Sequence, residues 1–180
     1  MKKILFFGGD RLKENMPLSF LAEHFSRKKI KVIIITDPTH LKKLSINGIT
    51  FKDYLKKKKL KYIQFSKLNE INIIKLIDKN TLGFSINSIW KFNKKIISAF
   101  KGNFYNYHAA DMPSERGAGN VSWKILQGNI KKGSINIHLI DKEFDTGDIV
   151  ARKKISYSNK GKAVLPEDIL KITAKNEKLF

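Results

Sequence analysis

An amide, an imidazole and a carboxylate stand in this sequence at positions that suit transfer of an acyl group. Asn106 and His108 are two residues apart in the apolar and aromatic run 104–108, which predicts a short buried strand. Because side chains alternate across a strand, both should project from the same face. Asp145 follows later, in the acidic segment 144–148. Such a set could supply a donor to a developing oxyanion, a base, and a group that orients the base.

The residues around this pair resemble those of the formyltransferase family that uses 10-formyltetrahydrofolate. The resemblance runs from about Phe84 to Ile149 and rests on an ordered series of residues at plausible spacings. The series is Asn106-x-His108, Pro113, Arg116-Gly117, Trp123, Gly128, Gly133 and Asp145-Thr146-Gly147-Asp148-Ile149. A lone Asn-x-His pair has no value as a signal, whereas the whole series is a strong one.

The resemblance implies three catalytic residues. Asn106 would donate to the oxyanion, His108 would act as general base or as a donor when protonated, and Asp145 would orient the imidazole or relay protons through water. The Met112–Pro113 bond is expected to be cis. His138 is expected to pack beside the core rather than to act in the site.

Ligand contacts follow from the same resemblance. The formyl donor, 10-formyltetrahydrofolate, would bind between two loops, and the acceptor would meet the first turn of the chain; no metal is expected. Arg116 could contact an anion or clamp its own turn. The expected donor contacts are Ile86, Asn87, Ser88, Asp141 and Phe144, and the expected acceptor contacts are Gly8, Gly9, Asp10 and Arg116.

The hydrophobic pattern predicts an α/β fold. Residues 2–7 and 32–35 are near-continuous apolar runs, and a helical pattern that starts at Pro17 lies between them. This order is typical of a parallel sheet covered on both faces, and the family fold is a Rossmann-like, mostly parallel sheet with helices on both faces. Further helices are expected on three apolar patterns: 68, 71, 74 and 77; 92, 96 and 100; and 121, 125 and 126.

Length and composition favour a single catalytic domain over residues 1–180. Residues 1–150 would form the core, and 151–180 would add a strand and a helix that starts near Leu165. There is no cysteine and no apolar stretch of the length that a membrane helix needs, which predicts a cytoplasmic protein with no membrane partner. A homodimer is an open question, as is whether the C-terminal region is shortened.

The formal net charge of +20 is the largest bulk feature. It could mark a nucleic-acid binder or steer anionic ligands toward a site. Lys, Ile and Asn are inflated together and Arg is scarce, as codon bias in an AT-rich genome would produce. Composition bias with modest steering is the favoured interpretation, and a nucleic-acid partner is not expected.

The amine acceptor follows less directly. Gly8-Gly9-Asp10 differs from the Gly-Ser-Asn phosphate loop of the ribonucleotide branch and from the Gly-Thr-Pro of the tRNA branch. Residues 119–123 look closer to the sugar-modifying branch. The expected acceptor is therefore a nucleotide-linked aminodeoxysugar, of the kind used in lipopolysaccharide O-antigen. Methionyl-tRNA, glycinamide ribonucleotide, and a non-catalytic basic binding module on the same fold remain alternatives.

Overall fold

The computed structural model describes residues 2–10, 17–44, 48–120, 123 and 132–157. Within these ranges, the first five strands alternate with helices, two of which lie between the second and third strands, and two further strands come later in the sequence. The strands are β1 Lys3–Gly8, β2 Lys31–Thr36, β3 Tyr62–Gln64, β4 Thr81–Ile86, β5 Phe104–His108, β6 Lys132–Leu139 and β7 Ile149–Ser156. The helices are α1 Pro17–Arg27, α2 Pro38–Lys42, α3 Phe51–Lys57, α4 Glu70–Ile74 and α5 Lys94–Ala99.

The described strands form one mostly parallel sheet in the order β3-β2-β1-β4-β5-β6-β7. The first five are mutually parallel, and β6 and β7 are added antiparallel. The chain proceeds from β1 toward β3 on one side and resumes with β4 on the other. In open α/β sheets, ligands bind beyond the carboxyl ends of the strands at this change of direction. The predicted α/β, Rossmann-like fold is confirmed.

Two hydrophobic clusters cover the two faces of the sheet. Residues of β1 alternate between them: Ile4 and Phe6 pack with α1, α2 and α3, whereas Leu5 and Phe7 pack toward α4 and α5. Apolar residues on both faces explain why the central strands read as continuous apolar runs. Helices on both faces are thereby confirmed.

Aromatic residues hold the first residue of β5, the strand that carries Asn106 and His108. Phe104 is 1% exposed, and its ring stacks on Phe100 with the ring centroids 4.3 Å apart. The Phe92 ring meets it edge-on with the centroids at 4.6 Å. All three residues of the predicted apolar pattern at 92, 96 and 100 are buried, but only Ile96 lies within α5, so the helix is shorter than the pattern predicted.

The predicted apolar face of α4 is wrong in part. Ile71 is 63% exposed, and Ile73, which the pattern omitted, is fully buried. The helix has five residues and begins at the capping residue Asn69. A spacing that runs from Leu68 to Ile77 therefore extends beyond both of its ends, and helical periodicity does not apply along it.

The Met112–Pro113 peptide bond is cis, as the resemblance implies. The helix expected after Asn120 and the last helix expected near Leu165 lie outside the described residues. In the part of the chain that the structure describes, no helix has the length and hydrophobicity needed to span a membrane.

Phe104→Ala should lower the free energy of unfolding by about 3–5 kcal/mol, because it leaves a cavity between Phe7, Phe92 and Phe100. Urea unfolding measures the change. The matched control is Phe20→Ala, at a residue that is 51% exposed, and should change it by no more than about 0.5 kcal/mol. Equal losses in the two variants would contradict this description of the core.

Candidate active site

The catalytic candidates converge from three adjacent places in the sheet and its loops. Asn106 and His108 project from one face of β5, and β6 pairs with β5 antiparallel. His138 stands opposite Asn106 in this register, and Asn136 stands opposite His108. The same face of the sheet thus carries two residues of each strand.

Asp145 lies in the loop between β6 and β7 and joins these residues. Asn106 Nδ2 donates to its Oδ1 at 2.9 Å, and the Gly117 backbone N–H donates to its Oδ2 at 2.9 Å. His108 Nδ1 lies 3.5 Å from Oδ2, and His138 Nε2 lies 3.2 Å from Oδ1. One carboxylate therefore faces four nitrogen atoms from β5, β6 and the loop that follows β5.

The backbone of the Asp145 loop is shaped for this contact. Asp145 has φ +52°, a left-handed conformation that few residues other than glycine, asparagine and aspartate adopt. A β-carbon on Gly147 would lie 2.0 Å from the Leu139 carbonyl oxygen, so only glycine fits there. Thr146 Oγ1 donates to Asp141 Oδ1 at 2.6 Å and closes the loop.

The surroundings of Asp145 keep its carboxyl ionised. Burial alone would raise its pKa, but the hydrogen bond with His138 and the charge of His108 act in the opposite direction. The Gly117 N–H adds to them, and the resulting pKa lies below the ordinary value of 3.8. The site therefore holds a carboxylate throughout the neutral range.

The His108 ring is fixed at both nitrogen atoms. Nε2 lies 2.7 Å from the Glu115 carbonyl oxygen, which can only accept, so Nε2 carries a hydrogen. Nδ1 faces the Asp145 carboxylate. With an acceptor opposite each nitrogen, the ring is arranged to donate from both sides when it is protonated.

His138 belongs to the site as well as to the buried interior. Its side chain is 2% exposed, and Nδ1 contacts the Leu139 carbonyl at 2.7 Å. Nε2 lies 3.2 Å from both Asn106 Nδ2 and Asp145 Oδ1. Burial was expected, but these contacts were not. The alternation of residues 134–140 contained the signal, since a strand beside β5 must present some of its residues to Asn106.

The glycines of the first turn are explained by close packing. Gly8 has φ +117°, and a β-carbon there would lie 2.0 Å from the Ile86 carbonyl oxygen. A β-carbon on Gly9 would lie 2.8 Å from the ring of His40. Contact of Gly8 and Gly9 with the acceptor stays a prediction.

Asp10 caps α1. Its carboxylate accepts from the backbone N–H of Leu18 at 3.0 Å and of Ser19 at 3.1 Å, and the residue is only 4% exposed. The positive end of the helix is therefore already matched by a negative charge of the protein itself. A role for Asp10 toward the acceptor stays a prediction.

The loop after β4 packs against the first turn. The Ile86 carbonyl accepts from the Gly9 N–H at 3.2 Å, and Asn87 Nδ2 donates to the Gly9 carbonyl at 3.2 Å. Ser88 Oγ accepts from the Trp90 N–H at 3.2 Å. The structure thus places Ile86, Asn87 and Ser88 beside the turn after β1.

The loop 141–144, also expected to contact the formyl donor, meets the loop after β4 at Lys91. The Lys91 ammonium lies 3.3 Å from Glu143 Oε2 and 5.4 Å from the centroid of the Phe144 ring, which is 58% exposed. A cavity of about 340 Å³ lies where the two loops meet. Its lining residues are Lys91, Phe92, Asn93, Lys94 and Lys142.

Arg116 is exposed and lies one residue before Gly117, whose N–H contacts Asp145. Its contact with an anion stays a prediction. Those residues contain no group of three or more His, Asp or Glu side chains placed to hold a metal ion. The expectation of a metal-free site stays a prediction.

Asp145→Asn should destabilise the protein by an amount that depends on pH. A carboxyl whose pKa is lower in the folded state contributes stability above its unfolded pKa of about 3.9, and this contribution is lost as the pH falls through the folded pKa. The difference in unfolding free energy between wild type and variant should therefore shrink from about pH 5 to about pH 2.

Urea unfolding at several pH values in this window measures the difference. A difference that stayed constant across the window would contradict the lowered pKa of Asp145.

Comparison with known proteins assigns the chain to a family. The formyl transferase family matches residues 6–167. The methionyl-tRNA formyltransferase of Flavobacterium psychrophilum is 25% identical over 158 residues, which cover 87% of this chain and 49% of that protein. The corresponding protein of Finegoldia magna is 31% identical over 94 residues, or 51% of this chain and 30% of that protein. The chain thus spans about half or less of the length of these curated relatives.

Solved structures share the fold. The phosphoribosylglycinamide formyltransferase of Bacillus halodurans superposes with a TM-score of 0.72 at 18% identity, covering 99% of this chain and 91% of that one. The sugar 3N-formyl transferase WlaRD, determined in the presence of dTDP and 5-N-formyl-THF, gives 0.68 at 17% identity, with coverages of 99% and 60%. The family match extends over most of the sequence, and this chain belongs to the formyl transferase family.

Proposed function

We propose that this chain transfers a formyl group from 10-formyltetrahydrofolate to the primary amine of a nucleotide-linked aminodeoxysugar. The observation that carries the proposal is the convergence of Asn106, His108 and His138 on the carboxylate of Asp145. Family membership supplies the reaction class. The chemistry is proposed for residues 1–180 acting as one catalytic domain.

The reaction needs help at the formyl oxygen and at the attacking nitrogen. The amine forms a bond to the formyl carbon, negative charge develops on the carbonyl oxygen, and the bond from that carbon to N10 then breaks. The amine loses a proton, and N10 gains one. Asn106 Nδ2 has two hydrogens: one is directed to Asp145, and the other faces His138 Nε2 at 3.2 Å and would turn from it to the oxyanion during the reaction.

His108 would act through its positive charge when protonated, because both of its nitrogen atoms already face acceptors of the protein. A positive charge beside the formyl carbon would lower the energy of the oxyanion. Asp145 would balance that charge and, through water, help relay to N10 the proton that the amine releases.

The two facing loops suit the folate. Phe144 presents an exposed aromatic ring, and the backbone of 86–88 borders the same end of the sheet. The cavity between the loops is lined by three lysines, Lys91, Lys94 and Lys142. Cations at this position would attract the carboxylates of the glutamate moiety of folate.

The first turn argues against an acceptor that carries a phosphate there. A phosphate at the start of α1 would meet the Asp10 carboxylate, which already accepts from Leu18 and Ser19. The negative charge of the carboxylate would repel a phosphate placed there. This disfavours glycinamide ribonucleotide, whose phosphate is expected at this turn. The shared fold does not separate the acceptors, since a phosphoribosylglycinamide formyltransferase and a sugar 3N-formyl transferase both have it. The aminosugar is proposed because residues 119–123 resemble the sugar-modifying branch. We also propose that the formylated sugar is used in O-antigen synthesis, that the protein is cytoplasmic, and that it forms a homodimer.

Methionyl-tRNA is the second candidate acceptor. The curated relatives described above act in that class by name, and the net charge of +20 would favour an RNA partner. An acceptor panel separates the candidates: dTDP- and UDP-linked aminosugars, glycinamide ribonucleotide and methionyl-tRNA. Tetrahydrofolate formation and the mass of the acceptor are measured together.

A formylated aminosugar as the sole product is the expected result. Formylation of methionyl-tRNA or of the ribonucleotide would contradict the proposed acceptor but support the proposed formyl transfer. Release of formate without a formylated amine would make water the acceptor. Absence of folate binding would contradict the proposal that 10-formyltetrahydrofolate is the formyl donor.

Asn106→Ala and His108→Ala should each lower kcat by about 100- to 1,000-fold, because Asn106 is the proposed donor to the developing oxyanion and His108 is the proposed positive charge beside it. The matched controls are Asn80→Ala and His24→Ala, at exposed residues remote in sequence from the site, and both should retain wild-type rates. Near-normal turnover of either site variant would remove that residue from the mechanism.

A further inference from the structure

A polar row crosses the last three strands next to His108. His108 on β5 pairs with Asn136 on β6, and Asn136 pairs with Arg152 on β7. Asn136 is fully buried, and its Oδ1 accepts from Arg152 Nε at 2.8 Å. The guanidinium of Arg152 thus reaches from the outer strand toward the site.

This pair holds the backbone of the loop that follows β5. Arg152 Nη2 donates to the Met112 carbonyl at 2.6 Å. Asn136 Nδ2 donates to the Ala110 carbonyl, and Ser134 Oγ contacts the same carbonyl at 3.1 Å. Two carbonyl groups, two and four residues beyond His108, are therefore fixed to β6 and β7.

The same loop supplies two contacts to the catalytic candidates. The Glu115 carbonyl accepts from His108, and the Gly117 N–H donates to Asp145. Asn120 Nδ2 donates to the Gly117 carbonyl at 2.9 Å and keeps this end of the loop closed. The position of His108 therefore depends on where the loop lies.

We propose that Asn136 and Arg152 are positioning residues that hold the loop 109–117 so that its backbone fixes His108 and Asp145 for formyl transfer. The proposal rests on the proposed function for its catalytic readout. Neither residue needs to touch the reacting atoms. Arg152 contributes two donors in one planar group, which reach Asn136 and Met112 together, and a lysine has no such fork.

Three variants test the role of Arg152. Arg152→Met removes both donors and keeps most of the aliphatic stem. Arg152→Lys keeps the charge and can satisfy one acceptor at a time. Lys154→Met is the matched control, because it removes the same charge from the same strand at an exposed residue with no hydrogen bond to the loop among the described residues.

Two measurements are made on each variant of the full chain. Hydrogen exchange of the amides of residues 109–117 reports the loop and needs no substrate. Steady-state kinetics separate kcat from KM for 10-formyltetrahydrofolate. Arg152→Met should exchange faster in the loop and lose about 100-fold in kcat, since small misplacements of reacting groups cost that much. The KM of Arg152→Met for the folate should stay within about two-fold of the wild-type value, because the hydrogen bonds of Arg152 described above are not with the loops expected to bind the folate.

Arg152→Lys should fall between wild type and Arg152→Met in both readouts, and Lys154→Met should match wild type. If the loop amides of Arg152→Met exchange as slowly as those of wild type, the positioning role is overturned, whether or not kcat falls. Faster exchange with unchanged kcat would also overturn it. If Arg152→Met does not fold, the comparison of Arg152→Lys with Lys154→Met decides by the same criteria. If wild type shows no transfer, the proposed function fails while loop exchange still tests the hold on the loop.

Discussion

The carboxylate of Asp145 is the contact on which the arrangement of the site depends. It is the shared partner of β5, β6 and the loop after β5, through Asn106, His138 and Gly117. A carboxylate that accepts several hydrogen bonds near positive charge stays ionised despite burial. The left-handed backbone at Asp145 is a local cost of the kind that functional sites tolerate.

The sheet explains how residues so far apart in the sequence meet. Parallel strands bring the turn after β1 and the loop after β4 to one edge, while the antiparallel pairing of β6 with β5 places His138 opposite Asn106. The aromatic cluster around Phe104 anchors the strand beneath. The order of strands, more than any single loop, therefore determines which side chains can share one carboxylate.

Sequence reasoning succeeds here where physics is local and fails where it is not. Continuous apolar runs identify β1 and β2, because buried parallel strands must be apolar on both faces. The alternation of residues 134–140 indicates a strand, but which of its residues stands opposite Asn106 depends on the register of a nonlocal antiparallel pair. Asp10 shows the same limit: its carboxylate accepts from the backbone of residues eight and nine positions away, a contact that no local pattern indicates. The exposed Ile71 shows that periodicity has little meaning in a helix of five residues.

The central claim is that the site residues act as one unit through Asp145. A double-mutant cycle in kcat with His108→Ala, Asp145→Ala and the double variant tests it most directly. Residues that act as a unit show strongly non-additive losses, so the double variant should be about as slow as the slower single variant. Losses that multiply, as for independent residues, would contradict a shared role for Asp145 and His108.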